Sequence, residues 1–486
     1  MDGSIDTLGG EINQYTLVSF LGYLAVIVLV GFLSRKFSSR GIGEFFLGGR
    51  MMNRYVVALS AVVSGRSAWL ILGVTGITYV QGLSAVWAVA GYITVELFLF
   101  LFLAPALRRQ TERLDSLTIP DYFEARFQDK SGLLRITSVI IIFVFMTAYV
   151  AAQFKGGGKA FSASFGMSEA EGILLTAIIV LIYTVLGGFL AVSLTDMIQA
   201  VFMVFALLLL PVIAIDYIGG WDAVATAVLQ QDVSFLDPFS LTAGAVIGFL
   251  GIGLGSPGNP HILVRYMSIN DPKQLKVSAV VGTLWNVLMA AGAILIGLVG
   301  RAIYPEMTML PGADRENLYP LLAQEHLHPL LFGLILAAIF AAIMSTADSQ
   351  LLVASSAVVR DVYQKIVKKG SELDQRQLVL MSRTVVFILV CFSILLGYFA
   401  ADWIFWLVLF AWGGLGASLG PTIIISLFWE RTSRAGVFAG LVAGTSITII
   451  WKSITALSDI VYELVPAFLI SFVVTILVSL YSKGDQ

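Results

Sequence analysis

The chain is a succession of long apolar runs separated by short polar segments. A helix needs about 20 residues to cross a bilayer. Scanned at that length, thirteen runs stand out: 16–34, 55–80, 84–106, 133–154, 170–187, 190–215, 240–263, 276–302, 329–357, 380–400, 403–427, 434–455 and 461–481. They are apolar on every side and rich in Leu, Ile, Val and Phe, without the short alternation of a barrel strand. The pattern predicts an all-α polytopic membrane protein of thirteen transmembrane helices, a single transmembrane domain over residues 1–486. No soluble module is read at either end. No basic stretch precedes the first run, so no cleaved signal peptide is read either.

Charge placement orients the predicted helices. With the N-terminus outside, the inner segments hold 23 of the 29 Lys and Arg residues. The outer segments hold five, Lys155, Lys159, Arg301, Arg315 and Lys452, and Arg66 lies within a span. Basic residues accumulate on the cytoplasmic side, which predicts N-out/C-in. The basic run at 360–370 is expected to touch anionic lipid.

Composition narrows the classes. The chain is 58% hydrophobic and 12% charged, against about 25% charged in a soluble domain. A net charge of −2 selects no partner and offers nothing to nucleic acid. Cys391 is the sole cysteine, which excludes an intrachain disulfide. His261, His326 and His328 form no H-E-x-x-H, so a zinc protease is not indicated. The absence of any N-x-[ST] acceptor leans toward a bacterial protein, and hence a multi-pass protein of a bacterial inner membrane.

Two runs contain helix breakers. Residues 248–261, G-F-L-G-I-G-L-G-S-P-G-N-P-H, carry five glycines and two prolines, and S-G-R-S-A-W interrupts the second run at 64–69. Such sequences unwind a helix and free its carbonyls and amides. The broken spans are five apart, as an inverted repeat of five-helix units with a discontinuous first helix requires. Packing kinks are the alternative. In the ninth run, A-A-I-M-S-T-A-D-S-Q at 341–350 puts Ser345, Thr346 and Asp348 at membrane depth. Polar groups persist there because they bind something or line a path. This stretch reads as an ion-binding helix in a transporter.

The runs Y-T-V-L-G-G-F-L-A-V-S-L-T-D-M-I-Q (183–199), M-S-T-A-D-S-Q-L-L-V-A-S-S (344–356), S-A-W-L-I-L-G (67–73) and G-N-P-H-I-L-V-R-Y (258–266) resemble the sodium/solute symporter family, with motifs closest to its proline-carrying members. The resemblance spans roughly residues 15–480, in order. It implies a five-plus-five inverted-repeat core of the leucine-transporter type over approximately 55–427, with 16–34, 434–455 and 461–481 as extra helices, and alternating access. It also implies sodium as coupling ion, held by the carbonyls of Val63, Arg66 and Ala342 and the hydroxyls of Ser345 and Thr346. A second cation site maps to Ser345, Asp348, Ser349 and Asp196. Against these stand helix back-bonding by the hydroxyls and a structural salt bridge at Asp196. Substrate contacts map to Ser67, Trp69, Tyr149, Ile252, Ser256 and Pro260.

The departures concern charge and pocket size. Gly65 stands where the proline carriers have aspartate, and Arg66 where they have methionine. Three roles are open for Arg66: neutralising Asp348, gripping a substrate carboxylate, or standing in for sodium. Ile252 and Ser256 replace two aromatics, which enlarges the pocket and puts proline itself in doubt. Gln153 and Lys155 have no counterpart, Lys155 being read as snorkelling to the interface, and Glu96 has no assigned partner.

These readings together predict a secondary active symporter, not an enzyme. It would import a small polar solute, an amino acid or related carboxylate such as proline, with sodium. Its partners would be that solute and membrane lipid. A proton-coupled or cation-independent exchanger, with Arg66 in place of sodium, and a receptor-like sensor on the same fold are the alternatives.

Overall fold

A computed structural model describes residues 13–368, 373–399 and 404–482. Lys369 and Lys483, counted above with the inner face, lie outside them. The described chain is all helix and turn, apart from one isolated bridge between Met52 and Ile269.

Among the described residues ten helices are long and apolar enough to cross a membrane: Gln14–Ser38, Trp69–Arg113, Leu133–Phe165, Glu169–Tyr217, Pro272–Ile303, Pro329–Val367, Gln375–Phe399, Ile404–Phe428, Arg434–Ser453 and Leu464–Tyr481. Two shorter apolar helices, Arg54–Ser64 and Ala243–Gly258, belong to the runs that carry the breakers. Two of the ten bend at a glycine. Trp69–Arg113 reverses near Gly82 (φ 65°, ψ −149°) and Glu169–Tyr217 turns at Gly188 (φ 57°, ψ −158°). Both bends fall between runs that hydropathy separates.

Burial sorts the helices. In the most apolar stretch of Ile404–Phe428, 89% of residues are buried, and in that of Pro329–Val367, 83%. The figures for Gln14–Ser38 and Leu464–Tyr481 are 28% and 33%. The peripheral helices keep Leu17, Leu29, Phe32, Val473 and Leu477 exposed, as a lipid-facing surface requires. The inner helices can therefore carry polar chemistry without presenting it to hydrocarbon.

The turn at Gly188 needs glycine twice over. Its positive φ disfavours any L side chain, and a Cβ there would come within 2.9–3.2 Å of Phe45. Gly188→Val is expected to destabilise the protein by more than about 1 kcal/mol. The check is a lowered melting midpoint in detergent and a reduced folded yield; an unchanged midpoint would show that the turn relaxes.

Candidate functional site

The second apolar run is broken where its sequence is polar. Arg54–Ser64 stops with tight turns, Gly65 N–H to the Val62 carbonyl (3.1 Å) and Arg66 N–H to the Val63 carbonyl (3.0 Å). The helix resumes at Trp69 with a widened turn. Amides freed in between find side chains: Ala68 N–H donates to Gln153 Oε1 (3.1 Å) and Trp69 N–H to Ser67 Oγ (3.1 Å). Gln153 thus supports the break from the Leu133–Phe165 helix.

The other break runs from Ile252 through a tight helical turn to an extended Asn259. Trp412 Nε1 donates to the Ile252 carbonyl (2.8 Å) and Asn259 Nδ2 to the Gly255 carbonyl (2.8 Å). A Cβ at Gly255 would fall inside the Trp412 indole, so glycine admits this capping ring.

The ninth run lies against the first break. Ser345 Oγ sits 3.3 Å from the Val63 carbonyl and 3.2 Å from the Ala342 carbonyl, and Thr346 Oγ1 donates to the Ser64 carbonyl (3.0 Å). All five residues are buried. Val63, Ala342, Ser345 and Thr346 therefore lie together. The carbonyl that meets Thr346 belongs to Ser64, while Arg66, expected to lend its own, donates its amide to Val63. These are neutral oxygens of the kind that replace the hydration shell of an alkali cation.

One turn further along, a second cluster holds Asp196, Asp348 and Ser349 together with two residues that sequence reasoning missed. Tyr183 donates to Asp348 Oδ2 (2.6 Å), and Ser349 to Asp348 Oδ1 (3.0 Å) and to the Ser345 carbonyl (2.7 Å). Arg265 enters from the Pro260–Ser268 helix. It bonds Ser349, Asp196 Oδ2 (3.3 Å), Ser60 (3.0 Å) and the His261 carbonyl (2.6 Å). Asp196 also accepts from Ser60 (2.5 Å) and Ser64 (3.3 Å). Arg265 had been counted with the inner basic segments, yet it is 1% exposed. Its place at the end of G-N-P-H-I-L-V-R-Y was the available signal.

Arg66 does not pair with Asp348. Its guanidinium forms a buried ion pair with Glu96, and its Nε donates to Asn286 Oδ1 (2.9 Å). Asn286 Nδ2 closes the ring on Glu96 Oε2 (2.8 Å), Ser256 Oγ reaches Glu96 Oε1 at 3.4 Å, and the Tyr92 ring lies 3.5 Å from Arg66 Cζ. Glu96 was the carboxylate without an assigned partner. It balances Arg66 near the break, and the guanidinium bonds Glu96, Asn286 and the Gly65 carbonyl rather than Ser345 or Thr346.

Arg66, Trp69, Tyr149 and Ile252 line a central cavity with Gly65, Tyr92, Val408, Leu409 and Trp412. Ser67 is buried beside it as a cap, and Ser256 belongs to the Glu96 network. Pro260 lines a different cavity with Arg265, Ser349 and Asp361. Trp412 and Tyr92 supply aromatic surface where positions 252 and 256 do not. Lys155, read as snorkelling, is mostly buried and lies 3.5 Å from Glu169.

The end of the bundle near Asp361 is held by charge. Arg135 pairs with Asp121 (2.7 Å), Glu124 and Asp361, and Arg360 with Asp121 (2.9 Å). Burial opposes ionisation of Asp121, but the Arg360 and Arg135 guanidiniums outweigh it and hold the carboxyl below the usual carboxylate range.

Residues 45–444 match the sequence model of the Sodium:solute symporter family. The chain belongs to that family. The sodium/proline symporter of Staphylococcus aureus strain JH9 is 37% identical over 97% of this chain and 94% of its own length, and that of strain NCTC 8325 / PS 47 matches equally. Among solved structures, a Na+-coupled sialic acid symporter in a substrate-bound outward-open state aligns with a TM-score of 0.82 at 20% identity, covering 97% of this chain and 98% of that one. MhsT in complex with L-phenylalanine aligns at 0.55 with 15% identity, covering 88% and 98%. The chain is accordingly a multi-pass membrane transporter, not an enzyme, built for sodium-coupled solute symport.

The Arg66–Glu96 pair carries a clear expectation. Removing one partner leaves an uncompensated buried charge, so Glu96→Gln should destabilise by about 3–5 kcal/mol. The double change Arg66→Met with Glu96→Gln should recover most of that loss, as a thermal double-mutant cycle with both singles would measure. Additive losses would mean that the two charges act independently.

Proposed function

We propose that this symporter imports a small amino acid or a related carboxylate, coupled to sodium bound between the first helix break and the Pro329–Val367 helix. The observation that carries the reading is the convergence of the Val63, Ser64 and Ala342 carbonyls on the Ser345 and Thr346 hydroxyls. A sodium ion there would bridge two helices. Binding would stabilise one arrangement of the pair and raise substrate affinity, with the reciprocal effect of substrate on sodium. The proposal includes the thirteen-span, N-out/C-in topology with a five-plus-five inverted repeat. Breaks in the second and seventh runs support it, as does the family membership.

The substrate would lie in the central cavity, between Trp69, Tyr149, Ile252 and Trp412. Arg66 contributes a donor face already balanced by Glu96, so the cavity suits a zwitterion or a neutral polar solute better than a dianion. Rocking of the core would break the Arg135–Asp121–Asp361–Arg360 knot and release both ligands inward.

A specific observation favours a second cation as well. Arg265 bonds Asp196 and Ser349, and Ser349 donates to Asp348, so one guanidinium stands against two carboxylates, one directly and one through a hydroxyl. A fully buried excess charge calls for a proton or a second sodium ion. Asp196, Asp348, Ser345 and Ser349 are its proposed ligands, with Arg265 supplying part of the compensation.

Sodium dependence of stability tests the main reading. A sodium-specific rise in melting temperature, absent with choline, is expected in the wild type. At a hundred times Kd it corresponds to about 2.7 kcal/mol. Thr346→Ala should weaken sodium affinity at least tenfold and shift that curve accordingly. Equal melting in sodium and choline, with a response to pH alone, would favour proton coupling at the Asp196–Asp348 cluster.

A further inference from the structure

Two arginines from distant parts of the chain meet at one end of the bundle. Arg35 stands in the last turn of Gln14–Ser38, and Arg383 in the third turn of Gln375–Phe399. Arg383 Nη2 donates to Ser39 Oγ (3.1 Å), and Ser39 Oγ donates to the Arg35 carbonyl (2.8 Å). Arg383 thus reaches the turn that carries Arg35, close enough for the Arg35 charge to act on it.

Among the described residues no carboxylate pairs with either arginine. Glu44, on the neighbouring short helix Ile42–Leu47, lies beside Gly41 and Gln375 instead. Arg383 Nε is buried without a hydrogen-bond partner. The helix dipole accounts for a cation such as Arg35 at a helix C-terminus, but not for a second arginine brought up to it. Like charges at short range repel unless an anion lies between them, and the guanidinium fork matches phosphate oxygens. The surroundings narrow the anion. Phe32, one turn before Arg35, is 60% exposed, and Leu380 and Phe387, one turn either side of Arg383, are 64% and 53% exposed. These are lipid-facing side chains, so the arginines stand where hydrocarbon gives way to headgroups. Both helices pack on Glu169–Tyr217, which offers acyl chains a surface between them.

We propose that Arg35 and Arg383 bind the phosphate of an anionic membrane phospholipid, its acyl chains running along Phe32 and Leu380. The phosphodiester accepts from both guanidiniums and bridges two helices far apart in sequence. A headgroup of net negative charge is favoured, because paired arginines repel the quaternary ammonium of a choline lipid. The lipid then holds the first helix against the core. A Cβ at Gly31 of that helix would come within 3.2 Å of Tyr183, whose hydroxyl donates to Asp348 (2.6 Å). Lipid composition thereby acts on a wall of the Asp196–Asp348 cluster, whatever solute the chain carries.

Lipid titration of the full chain, purified and delipidated in detergent, tests it by native mass spectrometry and by melting midpoint. The probes are dioleoylphosphatidylglycerol, dioleoylphosphatidylcholine and glycerol 1-phosphate. One phosphatidylglycerol per chain is expected to bind at least tenfold more tightly than phosphatidylcholine and to raise the midpoint. Arg35→Gln and Arg383→Gln should each weaken that binding at least tenfold, whereas Arg109→Gln, at an exposed position on Trp69–Arg113, should leave it unchanged. If the glutamine variants do not fold, Arg35→Lys and Arg383→Lys keep the charge and lose the fork, and a severalfold loss in each is expected. Equal binding of the two lipids would overturn the site, as would unchanged binding in both lysine variants. An equal loss in Arg109→Gln would reduce it to diffuse charge. Glycerol 1-phosphate binding as tightly as the lipid would make it a free-phosphate site and overturn the lipid.

Discussion

Every backbone amide, carbonyl and charge at membrane depth must find its partner inside the protein, because hydrocarbon offers none. The two broken helices expose a set of such groups, and the rest of the core answers them. Gln153 takes the Ala68 amide and Trp412 the Ile252 carbonyl, two contacts of fixed donors and acceptors. At Val63, Ser64 and Ala342 the partners are hydroxyls instead. A hydroxyl can turn its proton away and present a lone pair, so these carbonyls and hydroxyls can pass from bonding one another to surrounding a cation. Structural breaks of this kind can serve as the proposed ion site for this reason.

Charge balance separates scaffold from machinery. Arg66, Glu96 and Asn286 form a closed ring whose charges cancel, and it fixes the broken segment without attracting a further ion. The neighbouring cluster of Asp196, Asp348 and Arg265 does not cancel, and Asp196 Oδ1 has no hydrogen-bond partner among the described residues. The first arrangement sets the shape of the central cavity. The second favours an added positive charge, and it touches the oxygens of the proposed sodium site through Ser349 and the Ser345 carbonyl.

Much of this was legible in the sequence. Glycine and proline at 248–261 and the polar interruption at 64–69 announced the breaks, because both unwind a helix whatever surrounds them. Ser345, Thr346 and Asp348 stood out against an apolar run for the same kind of local reason. What the sequence hid was pairing between distant segments. Pairing with Asp348 was one of three roles left open for Arg66, on charge alone, whereas its partner Glu96 lies on the next run, where a single acid gives no clue to its direction. Arg265 looked like one more inner basic residue because it follows a helix end; only packing of the Pro260–Ser268 helix against Asp196 reveals its burial. Trp412 was invisible as a capping donor, since an indole in an apolar helix resembles any lipid-facing aromatic. Topology lies between these cases: the hydropathy breaks near Gly82 and Gly188 coincide with real turns inside long helices.

Sodium coupling through neutral oxygens is the central claim, and flux under a controlled gradient tests it most directly. Purified protein in proteoliposomes would be given an inward sodium gradient at equal pH, and separately an inward proton gradient in sodium-free potassium buffer, with amino-acid uptake followed in each. Accumulation driven by sodium, absent under the proton gradient and strongly reduced in Ser345→Ala, is the expected result. Uphill uptake under the proton gradient without sodium, undiminished in Ser345→Ala, would contradict it.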